Sequence, residues 1–405
     1  METNTNKKDS GKRFIVLDIV FYGSSLNYDQ GTGNYHELKK ITKWDGRQYT
    51  LVSRYALRYS ILEIGRDLGY WMLADASKFQ LAGDRDKKVI QPSEEVLLSG
   101  EILAYPEFDL FGYLITTTTP QNSRESPVKI SHAISLTPFN YDVQFAGNLG
   151  LANRIKEDTG ELQPNLFNTE EHVTYYVYTV VIDVDRIGKN EVYISREEKH
   201  IKIENNQLII TTNVKDKKKG NEKKEEKRVP LDNRVETKIL KGANDSDKVY
   251  ILSQELKNKE EIKNRIINLV KAILNLRRNI KGRSEFLDPK ILIVGLYKNK
   301  PYKSFKDRIQ LANEYVETYE EEIEQENGKK KRITRRVLKL DKPCFTIVGL
   351  GKSNQNLSID GLETSLEEIN EGSIISKIDD FLKDSNSQQK QEVMIYRSPG
   401  IEIKI

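Results

Sequence analysis

The sequence has one cysteine, Cys344, and four histidines, His36, His132, His172 and His200, scattered along 405 residues. A single thiol forms no internal disulfide, and imidazoles this far apart offer none of the close spacings of a zinc or iron–sulfur site. No metal or other cofactor is expected, and a reducing cytoplasm fits the cysteine usage. Long hydrophobic runs are missing as well. The strongest, VTYYVYTVVIDV from Val173 to Val184, is short, β-branched and interrupted by polar residues, well below the ~20 apolar residues that span a bilayer. The opening METNTNKKDSGKR is polar and lacks the layout of a secretory signal. A cytoplasmic protein without membrane contact is expected.

An excess of one charge is also lacking: 65 basic residues against 61 acidic ones leave a net +4, which does not by itself mark a nucleic-acid binder. The run KDKKKGNEKKEEKR, Lys215 to Arg228, has eight basic and four acidic residues, so it alone carries +4. Mixed-sign, glycine-containing and free of aromatics, it reads as a solvated mobile loop rather than a binding stripe.

What is present is an alternation of strands, helices and hairpins. FIVLDIVFYG, Phe14 to Gly23, reads as a buried strand, followed by a polar loop, Asn27 to Lys40. A helix starts near Ser53, with Leu57, Ile61, Ile64 and Leu68 on one stripe, Ser53 as cap, and Gly65 or Gly69 near its end. Tyr70 to Lys129, with four prolines and TTTTPQNS, reads as an irregular insertion. ISHAISL, Ile130 to Leu136, reads as a strand, and the long Thr137 to Glu171 loop as functional. Val173 to Gly188 gives the strongest strand signal, and Asn205-Asn206 a hairpin. A second helix is expected over Glu260 to Lys281, ending at Gly282, with a strand at Lys290 to Tyr297. Asn327-Gly328 predicts a tight hairpin pairing Glu326 with Lys329, Glu324 with Lys331 and Glu320 with Arg335, so that the basic arm is neutralised by its own partner. Past Gly351 a loosely packed C-terminal region is expected. The pattern fits an α+β fold with a mainly antiparallel sheet, and no repeat points to a solenoid or propeller.

Motifs for chemistry are sparse. No phosphate-binding glycine loop occurs; VGLGKS, Val348 to Ser353, lacks the first glycine and reads as a turn. No GxSxG elbow is present. Asp183 and Asp185, two apart on a strand, are either a weak metal pair or exposed polar positions. The start of the first helix is more informative. Free N–H groups at a helix start attract anions, and Arg54 and Arg58 stand one turn apart there. Lys39 and Lys40 in the preceding loop add charge, and Tyr55 and Tyr59 add stacking surfaces of the kind single-stranded RNA binders use. The bland alternative is a capped helix whose arginines meet solvent. Arg277, Arg278, Lys281 and Arg283, around Gly282, form a cluster of similar kind.

In order, these pieces resemble the backbone subunit of type I Cascade complexes, in its type I-B branch, the DevR-type CRISPR autoregulator family. SSLNYDQGTG (Ser24 to Gly33), YTLVSRYALRY (Tyr49 to Tyr59), DLFGYL (Asp109 to Leu114) and KISHAISL (Lys129 to Leu136) carry the resemblance, together with the Asn-rich loop before YYVYTVVIDVD. The resemblance implies an RNA-recognition-motif-like palm with finger and thumb insertions. Residues 1–69 would form the first half of the palm, 70–129 a finger-like insertion, 130–136 a palm strand and 137–171 the thumb. Residues 172–350 would complete the palm with hairpin insertions, and 351–405 would be a C-terminal region. It implies a non-enzymatic protein that polymerises along CRISPR guide RNA (crRNA), with Ser53 and Arg58 on guide phosphates, Asn27 shaping the first loop and Phe145 in the thumb. His132 lies in the matching His-Ala-Ile-Ser segment and joins the RNA-contact set. Tyr55 departs from the family's usual glutamine, which favours stacking there. Implied partners are neighbouring copies, the guide 5′-end cap subunit, the guide-processing endonuclease, the large subunit, and target DNA through guide pairing. Two other readings follow from related proteins: an RNA-cleaving type III-like subunit using Asp29, and a DNA-binding transcriptional autoregulator.

Overall fold

Strand β1 (Arg13–Ser24) carries apolar residues at both parities, and it is buried on both faces. In the computed structural model, which describes residues 12–83, 88–150, 154, 165–197, 199–215, 222–240, 248–312, 316–324, 330–338, 343–353, 356–384 and 388–405, β1 lies inside an eleven-stranded sheet. The other strands are β2 (Lys40–Thr42), β3 (Gln48–Val52), β4 (Val128–Ile130), β5 (Ala133–Ser135), β6 (Val173–Asp183), β7 (Ile291–Lys298), β8 (Leu350–Ser353), β9 (Asn356–Ile359), β10 (Leu362–Glu368) and β11 (Lys390–Arg397). Their order is β8-β9-β10-β11-β7-β1-β6-β5-β3-β2, with β4 also paired to β6. Every pairing is antiparallel except β10 with β11. The expected α+β class with a mainly antiparallel sheet is therefore what the chain forms.

Three helices cover one face: α1 (Arg54–Asp67), α2 (Lys259–Leu274) and α3 (Glu371–Lys383). Ile15, Leu17, Ile19 and Phe21 of β1 pack beneath them with Leu57 and Ile61 of α1, Ile266 and Ile273 of α2, and Ile378 and Phe381 of α3. Val20 points to the opposite face, where Ile293, Ile395, Phe305 and Phe345 make a second core. So does Asp18, buried between the Thr179 and Ser304 hydroxyls and the Phe305 N–H, the last donating to Oδ2 at 2.6 Å. A third core joins the 70–129 insertion to the strands of 189–256. Asp109 clamps this unit to the helices: its carboxylate accepts from Arg124 (2.7 Å), Arg265 of α2 (2.6 Å) and the Gly188 N–H (2.9 Å), all shielded from solvent.

Several expectations are corrected. Leu68 is not on the buried stripe of α1; it is the C-cap, 40% exposed, and Leu62 takes the place in the core. Gly65 lies within the helix because the Trp71 ring packs so close that any Cβ there would overlap it. The second helix stops at Leu274, capped by Asn275, not at Gly282. Arg277–Ile280 and Arg283–Phe286 pair as a hairpin instead, with Lys281 and Gly282 at φ 45° and 77°, the two left-handed positions of a tight turn. The C-terminal region is not loosely packed. Its amphipathic α3 and the apolar VMIY of β11 are integral to both cores, and the polar stretches flanking them disguised this. Part of the Lys215–Arg228 run is strand Glu222–Pro230, paired with Gln207–Lys215, rather than loop; residues 216–221 lie outside the described set. The 316–338 hairpin forms, but one residue out of the expected register: Glu324 is opposite Lys330 and Glu320 opposite Thr334. Five residues separate Glu324 from Lys330, where the expected register put six between Glu324 and Lys331; Asn327 and Gly328 themselves lie outside the described residues. The Ile130 to Leu136 segment splits into β4 and β5, both on β6. The Thr137 to Glu171 loop contains strands Val143–Gly147 and Leu166–Glu170, the latter running parallel to Tyr35–His36 of the first loop.

Candidate nucleic-acid interface

The first loop is tied to the start of α1 by Asn27. Its Oδ1 accepts the Ser53 N–H at 2.8 Å, and its carbonyl accepts the Lys39 N–H at 2.8 Å. Asn27 thus fixes both ends of the loop to the helix cap. Ser53 Oγ accepts the Ala56 N–H, and the Arg54 N–H donates to His132 Nδ1 at 3.0 Å. Both of those helix-start amides are already satisfied, so the side chains of Arg54 and Arg58 supply most of the positive character here. The His132 pKa is pushed down, first by burial and then by the nearby Arg54, Lys306 and Lys39 charges.

Arg54 lies over the Tyr55 ring, 5.0 Å from its centre, and donates to its hydroxyl. Arg58 sits over Phe111 at 5.6 Å, half-buried, and burial depresses its pKa. Together with Lys129, these four side chains line a groove of about 350 Å³ between α1 and β4. Tyr55 and Tyr59, one turn apart, are 64% and 62% exposed.

The 277–286 hairpin docks against this region by its inner face. Arg278 donates to the Leu26 carbonyl (2.8 Å), the Ser60 hydroxyl (3.2 Å) and the Ala56 carbonyl (3.4 Å). Arg283 reaches Glu171 and the Ser25 carbonyl, each at 3.4 Å. Lys281 lies 3.8 Å from the centre of the Tyr28 ring. Among the described residues Arg54, Arg58, Arg277 and Arg278 form no salt bridge, although the Glu107 carboxylate acts on Arg58 from farther off. Others in the expected set are spoken for. Lys40 is largely buried, paired with Glu170 at 2.6 Å, and Lys39 pairs with Asp29 at 3.4 Å.

Phe145 stands apart from this cluster, 66% exposed on Val143–Gly147 beside exposed Tyr141 and Val143. That strand connects to the first loop through Glu170, which accepts from the Leu38 N–H and the Tyr35 hydroxyl. Asp29 is solvent-exposed, its carboxyl held below the usual range by the Gln30 N–H and by Lys39. Asp183 and Asp185 do not form a metal pair: Asp185 lies past the end of β6 and holds Arg13 through both the guanidinium and the backbone N–H at 2.8 Å. Among the described residues no group of three or more His, Cys, Asp or Glu side chains could hold a metal ion.

Two exposed aromatics escaped the sequence reading. Phe286, 63% exposed, sits directly opposite Arg277 in the hairpin; the Lys-Gly turn signal at 281–282 could have found it. Trp44, 97% exposed, caps the turn between β2 and β3. That turn is braced by Lys43 over the Tyr49 ring and by the Tyr49 hydroxyl donating to Asp45 at 2.7 Å; no periodic signal marks it.

These features define an α+β protein on one broad, nearly all-antiparallel sheet, with an arginine- and aromatic-rich surface where its first helix meets a short hairpin. The chain belongs to the CRISPR-associated negative auto-regulator DevR/Csa2 family, whose profile matches residues 15–320. Among solved structures, a chain of a "CRISPR RNA-guided surveillance complex, pre-nicking" aligns at 12% identity and TM-score 0.43, covering 73% of this chain and 81% of that one. A chain of a "Type IV-B CRISPR Complex" aligns at 14% identity and TM-score 0.24, covering 42% and 71%. Both scores are too low to carry a functional argument. No curated protein matches. Among the described residues no helix is long and apolar enough to cross a membrane.

Proposed function

We propose that the chain is a non-enzymatic backbone subunit of a type I-B Cascade-type complex, which polymerises along guide RNA through an RNA-recognition-motif-like palm. The observation that carries this reading is the set of arginines with no salt bridge among the described residues, Arg54, Arg58, Arg277 and Arg278, together with exposed Tyr55 and Tyr59. Family membership sets the biological context. Arginine fits phosphate in a bidentate fashion, and exposed rings accept bases of any identity, so the surface suits a single strand held without sequence preference. The 5′-end cap subunit, the processing endonuclease, the large subunit and guide-paired target DNA are the partners this reading adds.

Purification from the native host is expected to bring down a uniform short RNA with the protein. Its absence would count heavily against the proposal. Arg54→Ala with Arg58→Ala is expected to weaken binding to every guide sequence and to flatten the salt dependence of log affinity by roughly 0.7 for each phosphate no longer neutralised. Incubating protein and guide with complementary RNA and magnesium separates this reading from RNA cleavage: cleavage abolished by Asp29→Ala would overturn it. A gel shift on duplex promoter DNA without guide tests the autoregulator alternative in the same way.

A further inference from the structure

The 277–286 hairpin has two faces of opposite character. Arg278, Ile280, Arg283 and Glu285 point inward and are partly buried, sewn to α1 and to Ser24–Leu26. Arg277, Asn279, Ser284 and Phe286 point outward, and all four are exposed. This outer face contains a guanidinium, an amide, a hydroxyl and a phenyl ring, and no carboxylate. Arg277 and Phe286 are a direct cross-strand pair, close enough for one planar base to meet the ring while its phosphate meets the guanidinium.

The inner face seats the hairpin firmly: Arg278 holds the Ala56 carbonyl and the Ser60 hydroxyl of α1, so the outer face is presented on a fixed base, with Phe286 63% exposed. Isolated exposed apolar residues are ordinary on protein surfaces. A ring set directly across from an arginine is a more specific arrangement, and the lack of acidic groups on the hairpin's outer face favours a polyanion over a protein partner.

From this placement we infer that the outer face of the 277–286 hairpin is a base-stacking platform for single-stranded RNA, with Phe286 as the stacking ring and Arg277 holding the adjoining phosphate. The inference rests on the guide-holding reading and assigns it an RNA-binding element outside the α1 groove. Stacking and phosphate binding differ in salt dependence: removing a cation from a phosphate changes the slope of log affinity against log salt, and removing a ring from a base does not.

The test is binding of a short labelled single-stranded oligoribonucleotide to the full chain across a salt series. Phe286→Ala is expected to weaken binding roughly fivefold to a hundredfold with the slope unchanged. Phe286→Trp restores affinity, Phe286→Leu does not, and Arg277→Ala weakens binding with a smaller slope. Equal affinity of the Ala variant and the parent, or full rescue by Leu, overturns the platform while leaving the guide-holding reading intact. A changed sedimentation profile of Phe286→Ala without RNA, at unchanged RNA affinity, assigns the face to an interface between copies and overturns it too. Failure of the parent chain to bind any single-stranded RNA defeats both. Because Phe286 is exposed, thermal melts of all three variants are expected to match the parent.

Discussion

At the scale of single residues, Asp18 shows how a buried charge is accommodated. Burial raises its pKa above the ordinary 3.8, while three hydrogen bonds pull the other way. The sign of its pH effect follows from the raised value. The folded state keeps the proton longer than the unfolded chain, so Asp18 costs stability as pH rises from about 4 through its own raised pKa, and adds no further change above it. Asp18→Asn is expected to flatten that part of the pH–stability curve in urea melts, since its Oδ1 can still accept from Phe305 and its amide can face the Thr179 and Ser304 hydroxyls. Asp18→Ala strands the buried Phe305 N–H and should cost about 1–3 kcal/mol. None of this was legible in the sequence, where Asp18 is one polar letter in an apolar run. Ser53 was legible, because a cap residue acts on its own helix. Lys40 was not, because its partner Glu170 is remote in sequence and only the fold brings them together.

At the scale of elements, the sequence was readable wherever periodicity was continuous. β1, β7 and α1 appear close to their expected bounds, and β6 starts where expected but ends at Asp183 rather than Gly188. The 277–286 hairpin has almost no apolar content, so the helical stripe of α2 was extended through it. α3 was missed because its stripe of Ile374, Ile378 and Phe381 lies between polar stretches. The candidate site shows the same gap: its helix half was read with the element that carries it, and its hairpin half was named by its charges without its geometry. Gly282 tests that geometry. Its φ of 77° disfavours any side chain, so Gly282→Val should strain the turn by about 1–2 kcal/mol. The expected outcome is weaker RNA binding in a filter-binding assay with only a small fall in melting temperature, because the hairpin lies outside the sheet.

At the scale of the whole molecule, the chain is held together by elements far apart in sequence. β11 runs beside β7 near the middle of the sheet, so truncation after Leu350 removes part of both main cores. Such a fragment is expected to lack a cooperative thermal transition in calorimetry, whereas a loosely packed tail would have been dispensable. Asp109 plays a comparable part between the insertion and α2. Asp109→Ala leaves the Arg124 charge buried without a carboxylate and Arg265 with Glu261 alone, at a cost of about 3–5 kcal/mol, visible as a large drop in urea midpoint.

Trp44 and Trp71 are the chain's two tryptophans, and they occupy opposite environments. Trp71 is packed on Gly65 with its indole N–H bonded to the Leu62 carbonyl at 3.0 Å, while Trp44 stands in water on a braced turn. The protein therefore carries two built-in optical probes: an aqueous quencher reaches Trp44 more freely than the partly buried Trp71. Any neighbour that settles on the β2–β3 turn, whether RNA or another copy, will shield Trp44 and blue-shift its emission, so assembly can be followed in the unlabelled chain.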